Sequence, residues 1–323
     1  MELKDLGEFG LIKRLLAGQT RAAGVIVPPG DDAAVLEVTA GQRMVLTCDC
    51  MVEDVHFLAK AQGYDVGYKL LASNISDIAA MGGMPRYAVV TLVAPVTTSV
   101  AWLDDLYAGL RACALEYGVA IVGGDTSRGE KIMLSVALLG EVTPGRELLR
   151  SSAQPGDLVC VTGPLGGSAA GLEIVLGHVH PPEHLVREAL ACHYRPRPQV
   201  AAGLLMASLG ARCANDISDG LASEAHEIAL ASAVAIEIDS ASVPQTAATR
   251  FIAQAVGKDP LDFAFYGGED YELLFTVPEQ TWPAVQAALP AACAVGLVRA
   301  GHGVFVRRGE SLLPLARGYT HFR

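Results

Sequence analysis

The acidic residues of this 323-residue chain are not spread evenly along helix faces. They stand in short groups beside glycine, serine and threonine: Gly30-Asp31-Asp32, Thr47-Cys48-Asp49, Gly124-Asp125-Thr126, Asp216-Ile217-Ser218-Asp219-Gly220 and Gly268-Glu269-Asp270, with Asp77 between Ile75 and Ile78. Most have an ordinary explanation when taken singly. Asp31 or Asp32 suits an Asx-turn after Pro29-Gly30, and Ser218 or Asp219 suits the N-cap of a helix starting at Leu221. Asp125 suits a turn after two glycines, and Glu269 suits a local cap or pair. Asp49, which ends an apolar strand, and Asp77, inside an apolar helical stretch, resist such readings, because a carboxylate buried alone costs several kcal/mol.

Taken together the carboxylates point to a hard cation. Magnesium takes oxygen ligands in octahedral geometry, usually one or two carboxylates per ion, with phosphates and water completing the shell. Five or six carboxylates on separate loops suit a cluster of such ions. The sequence contains no GxxxxGK[ST], HExxH or GxSxG pattern, which disfavours a P-loop ATPase, a zinc protease and an α/β-hydrolase. Spacing therefore predicts magnesium-dependent phosphate chemistry.

The elements that must position these groups alternate between strand and helix periodicity. Helices are predicted over 6–16 (ending at Gly18), 66–81, 101–117, 169–176, 182–193, 199–209, 221–232, 246–256 and 282–289. Strands are predicted over 33–38, 44–48, 87–93, 119–122, 132–140, 158–162, 235–238, 273–277, 294–298 and 304–307, with Gly123 to Thr126 as a loop. The turn Gly163-Pro164-Leu165-Gly166-Gly167-Ser168 reads either as a phosphate cradle at a helix N-terminus or as a tight strand–helix turn. Pro144, Gly145, Pro155 and Gly156 cluster between two strands, which places a domain boundary there. The expected class is α/β (α+β), with two mixed domains over 1–143 and 144–323.

Composition narrows the function classes. Lys and Arg number 24 against 35 Asp and Glu, a net charge of −11, which argues against a nucleic-acid binder relying on a basic face. Hydrophobic residues make up 51% and aromatics 6%, so sizeable cores built from Ala, Val, Leu and Ile are expected. No apolar run reaches the ~18 residues of a membrane span, and the first ten residues lack the apolar region of a signal peptide. The seven cysteines include no CxxC pair, as expected of a reducing cytosol. A cytoplasmic protein without membrane or nucleic-acid partners is the expectation.

Longer motifs then become recognisable: LGEFGLI (6–12), GDDAAV (30–35), TCD with a following VHF (47–57), SNISDIAAMGG (73–83), VGGDTSRG (122–129), NDISDGL (215–221), YGGEDYELLF (266–275) and YTHF (319–322). In number, order and spacing the chain closely resembles the thiamine-monophosphate kinases, of the superfamily that also holds aminoimidazole ribonucleotide synthetase and selenophosphate synthetase. The resemblance implies that superfamily's two-domain fold, an N-terminal ATP- and magnesium-binding domain, and a homodimer formed through the N-terminal domains with nucleotide near the interface. It implies transfer of a phosphoryl group from ATP to thiamine monophosphate, assisted by several Mg²⁺ ions, with no protein nucleophile or base. Asp32, Asp49, Asp77, Asp125, Asp216 and Asp219 match the family's magnesium carboxylates, and Thr47 matches a threonine that helps hold a metal. Tyr107, Gly124, Asp125, Arg150 and Ser218 match ATP-contacting positions. His56, Glu269 and Tyr319 match positions around thiamine monophosphate. Cys48 departs from the pattern, standing where some members have a second threonine, and a thiol is a poor magnesium ligand. A non-catalytic binder with the same fold is the rival expectation; six mutually repelling carboxylates kept intact argue against it.

Overall fold

The computed structural model describes residues 1–16, 23–29 and 33–318. Asp32 and Tyr319, and the predicted helix stop at Gly18, lie outside the described residues. The chain forms two compact units, Met1–Ile78 with Met84–Pro144, and Ala79–Gly83 with Gly145–Arg323. Among the described residues no helix is long and apolar enough to cross a membrane.

The first unit begins with α1 (Leu3–Leu6) and α2 (Glu8–Leu16). A single helix over 6–16 is the sequence expectation, but Gly7 takes φ 72°, a left-handed setting that interrupts helical bonding. Two short strands, β1 (Val25–Val27) and β2 (Val35–Leu36), pair antiparallel. The main sheet contains β3 (Arg43–Val52), β4 (Met84–Ala94), β5 (Ala120–Arg128) and β6 (Met133–Val142), in the order β3-β6-β4-β5. β3 runs four residues beyond its predicted end, so Asp49 lies inside a strand rather than at its terminus. β5 runs straight through the predicted loop Gly123 to Thr126.

Two long helices belong to this unit, α3 (Gly63–Ala80) and α4 (Val100–Tyr117). The 3.6-residue stripes read from sequence are buried: Leu70, Leu71, Ile75 and Ile78 of α3, and Leu103, Leu106 and Leu110 of α4, have no exposed surface. Each such aliphatic contributes roughly 1.5–3 kcal/mol. α4 ends at Gly118, whose left-handed backbone (φ 70°) lets its N–H bond Ala114 O. Helix-to-helix spacing is set by small residues. A Cβ on Gly67 would come within 2.0 Å of Leu106 O, and one on Gly109 within 1.9 Å of Tyr64 O.

The second unit is built on β7 (Asp157–Val161), α5 (Gly167–Val175), α6 (Glu183–Tyr194), α7 (Val200–Leu209), β8 (Cys213–Asp216), α8 (Leu221–Ser232), β9 (Ala235–Asp239), α9 (Ala247–Ala255), α10 (Pro260–Tyr266), β10 (Leu273–Pro278), α11 (Trp282–Ala288), β11 (Cys293–Arg299), β12 (Gly303–Arg308) and β13 (Ser311–Pro314). Its strands order as β13-β12-β9-β11-β7-β10-β8. Val159, Val161 and Leu274 pack with Ile217, Leu221, Ile228 and Phe265. Cys160, Phe275 and Val277 pack with Met206 and Val285. Alternate residues of the same strands thus feed two cores, one on each face of the sheet. β8, α10 and β13 were not predicted: four-residue strands carry little periodicity, and α10 is short.

Candidate active site

In the first unit the sheet divides the expected residues between two faces. Side chains alternate along β3, so Thr47 and Asp49 share the face of buried Met51, the face α3 covers. On α3, Asn74 and Asp77 are three residues apart and so lie on one side. The Thr47 hydroxyl donates to the Asp77 carboxylate. The Asp49 N–H donates to Asn74 Oδ1 at 3.0 Å, and Asn74 Nδ2 donates to Leu70 O at 2.9 Å, which fixes the amide. Asp77, anomalous in the sequence, is therefore the polar end of a helix whose apolar stripe is buried.

Burial pushes the Asp49 carboxyl above its ordinary range, while a hydrogen bond from Ser73 and the His56 imidazole oppose that shift. His56 sits in a turn after β3, where the Val52 N–H donates to Nδ1 at 3.0 Å. That bond leaves Nδ1 as acceptor and places the ring proton of the neutral form on Nε2.

Thr47, Asp49 and Asp77 offer only hard oxygen, and a carboxylate made uncomfortable by burial is relieved by a cation. This chemistry fits magnesium. Among the described residues no three His, Cys, Asp or Glu side chains form a group able to hold a metal ion; magnesium commonly takes one or two carboxylates and leaves the remaining positions to phosphate and water.

Asp125 is not brought to this group. The register aligns it with Thr91 of β4, and Thr91 with Ser135 of β6, which faces Cys50 of β3. That row is on the opposite, exposed face of the sheet, where Cys48 Sγ lies 3.2 Å from Ser135 Oγ. Gly124 aligns with Val90, and a Cβ there would come within 2.0 Å of Val90 O. The glycine is needed for strand pairing rather than for a turn. Tyr107 is buried on α4, and burial pushes its phenol up to about 12.

In the second unit two loops run side by side. Glu269 N donates to Ser218 O at 2.7 Å, Tyr271 N to Ile217 O at 2.9 Å, and Ile217 N to Glu272 O at 2.7 Å. Asp216, Ser218, Asp219 and Glu269 are thus gathered at the start of α8. Gly220 takes φ 92°, and a Cβ there would meet Phe265 O at 2.6 Å. No side chain caps α8. The expected capping by Ser218 or Asp219 is reversed: Glu224, in the first turn, accepts from Asp219 N at 3.1 Å, from Ser218 Oγ at 3.3 Å and from Asn215 Nδ2. Asn215 Oδ1 in turn accepts from Arg150 Nε at 2.9 Å, so Arg150 is tied to the same loop.

Glu224 is the residue sequence reading missed. Burial pushes it up to about 7, with the Asp219 N–H opposing. The only sequence signal is an acid in the first turn of a helix, which is commonplace. The glycine turn before α5 is resolved as well. Asp270 accepts from Gly166 N at 2.6 Å and from Ser168 N at 3.1 Å. The amides that would cradle a phosphate hold a protein carboxylate instead.

Residues 30–142 match the model of the AIR synthase related protein N-terminal domain, and residues 154–309 that of the C-terminal domain. Fold and site thus define a two-domain AIR synthase related protein. The thiamine-monophosphate kinase of Bacillus subtilis (strain 168) is 36% identical over 98% of this chain and 100% of that protein. A crystal structure of thiamine-monophosphate kinase from Stenotrophomonas maltophilia K279a superposes with TM-score 0.84 at 34% identity, covering 93% of this chain and 96% of that one. A structure of AaThiL complexed with AMPPCP and TMP gives TM-score 0.78 at 36% identity, covering 96% and 97%. The chain belongs to the thiamine-monophosphate kinase family, a family of phosphotransferases.

Proposed function

We propose that the chain transfers the γ-phosphoryl group of ATP to thiamine monophosphate, giving ADP and thiamine diphosphate by direct in-line transfer. The observation that carries this reading is the oxygen-donor group of Thr47, Asp49 and Asp77 beside His56, in a chain alike end to end with thiamine-monophosphate kinases.

The acceptor is a phosphate monoester with a second pKa near 6, mostly dianionic at pH 7, so no protein base is needed to make the nucleophile. The obstacle is bringing two polyanions together on a chain of net charge −11. Several magnesium ions would supply neutralisation and stabilise charge on the transferring phosphoryl. Thr47, Asp49 and Asp77 would hold such an ion on one face of the first unit's sheet, Asp125 would serve on the other face, and Asp32, Asp216 and Asp219 are the remaining carboxylates assigned to metal. His56 donates Nε2–H to the acceptor phosphate. Arg150 pairs with a nucleotide phosphate through its guanidinium, with Tyr107, Gly124, Asp125 and Ser218 around the nucleotide. Glu269 offers negative charge to the cationic thiazolium, and Tyr319 offers a ring face to it.

The enzyme acts as a homodimer formed through the exposed sheet face of the first unit. Leu46 (68% exposed), Val89 (41%) and Met133 (36%) lie on that face, and Asp125 shares it, which suits a nucleotide near the subunit interface. Seven free cysteines support a reducing, cytoplasmic setting.

Purified protein incubated with ATP, Mg²⁺ and thiamine monophosphate should yield thiamine diphosphate on chromatography, and none when free thiamine replaces the monophosphate. Absence of product from folded protein that still binds ATP would overturn the assignment.

A further inference from the structure

The loop that carries Glu269 is held under unusual constraint. Glu269 and Tyr271 both adopt left-handed backbone, φ 66° and 53°, a region that crowds the Cβ of any residue other than glycine. Such settings persist only where the surroundings over-determine them. Here three anchors do so. The Glu269 and Tyr271 amides bond the Ile217–Ser218 backbone, and the Asp270 carboxylate between them is clamped on the first turn of α5 by Gly166 N and Ser168 N.

The Glu269 side chain is met from a different direction. His193, on the last turn of α6 and only 5% exposed, places Nδ1 at 3.7 Å from Glu269 Oε2 and at 3.1 Å from Ser168 Oγ. Ser168 is itself buried at the start of α5. The helices approach closely enough for this because residue 171 is glycine; a Cβ there would lie 2.5 Å from His193 Cβ. With its proton on Nδ1, the ring donates to Ser168 Oγ and turns its positive edge toward the carboxylate. The same helix turn therefore fixes Asp270 through its amides and His193 through its hydroxyl, and these bracket Glu269.

We propose that His193 is a positioning residue for Glu269, fixing the direction in which that carboxylate meets the cationic substrate. This rests on the proposed role of Glu269 at the thiamine monophosphate site. His193 need not touch substrate; its effect passes through the carboxylate.

The test is steady-state kinetics on the full-length protein with both substrates varied. His193→Ala should raise KM for thiamine monophosphate about ten-fold while kcat falls less than three-fold and KM for ATP stays put. His193→Asn, which restores a donor near the Nδ1 position, should recover most of that loss, and a purely structural defect would not be rescued this way. Ser168→Ala, a small change suited to folding normally, should raise the same KM about three-fold. Combined with Glu269→Gln, His193→Ala should add nothing further, because the two act as one unit. Full additivity, equal effects on both substrates, or a normal KM in Ser168→Ala would overturn the proposal, the last even if His193→Ala does not fold. A normal KM in Glu269→Gln would remove the substrate role of Glu269 and this inference with it; a raised KM there but not in His193→Ala would remove the inference alone.

Discussion

Asp77 shows how one polar residue on an apolar helix is tolerated. Its neighbours Ile75 and Ile78 are fully buried, and its carboxylate accepts the Thr47 hydroxyl proton. An amide in its place can still accept that bond, so Asp77→Asn should keep the fold and move the melting temperature by no more than a few degrees. The removed charge is the one proposed to hold phosphate-bound magnesium, so kcat should fall by about 10²–10³-fold. Turnover within three-fold of wild type at saturating Mg²⁺ would remove Asp77 from the site. Asp49 differs in being tied to α3 twice, its N–H by Asn74 and its carboxylate by Ser73; burial nevertheless raises the pKa of that carboxylate.

At the scale of elements, α3 delivers Asp77 only because α4 lets it approach. Gly109→Ala sets two effects against each other. Alanine favours an α-helix over glycine by about 1 kcal/mol. The new methyl, however, would lie 1.9 Å from Tyr64 O on α3, and this neighbour is backbone and cannot rotate away. Overpacking of this kind costs typically 1–3 kcal/mol and the helices must separate to relieve it. The clash should win, lowering the urea midpoint and, through displaced α3, the catalytic rate. A midpoint raised by the substitution would mean that the helix pair slides apart without loss. The 3.6-residue stripes of both helices were legible in the sequence; the reason for their glycines was not, since a backbone-to-backbone contact leaves no periodicity.

For the whole molecule, the exposed sheet face of the first unit is the proposed dimer interface. Leu46 is 68% exposed on β3, an edge strand of the four-stranded sheet. An aliphatic left to water there is compatible with burial against a second copy. Leu46→Lys places two like charges across such a two-fold interface and should convert a dimer to monomer in sedimentation at micromolar concentration, without altering the far-ultraviolet circular dichroism. A wild-type monomer, or a variant that stays dimeric, would exclude this face as the interface.

The sequence by itself determined the family, the class of fold, most of the long helices and buried strands, and the residue types from which a phosphate-handling site is made. These follow from short-range periodicity and from motifs whose residues are neighbours in the chain. Tertiary structure decided what depends on partners far away in sequence. Gly123 to Thr126 read as a loop because two glycines usually mark a turn, yet pairing with β4 draws them into a strand and sets Asp125 on the opposite face from Asp49. Ser218 and Asp219 read as helix caps until Glu224 is seen to reach back to both. The glycine turn before α5 read equally as a phosphate cradle, and Asp270, more than a hundred residues later, occupies its amides. In each case the local sequence offers hydrogen-bonding groups without naming the group that satisfies them, because that partner is chosen by packing.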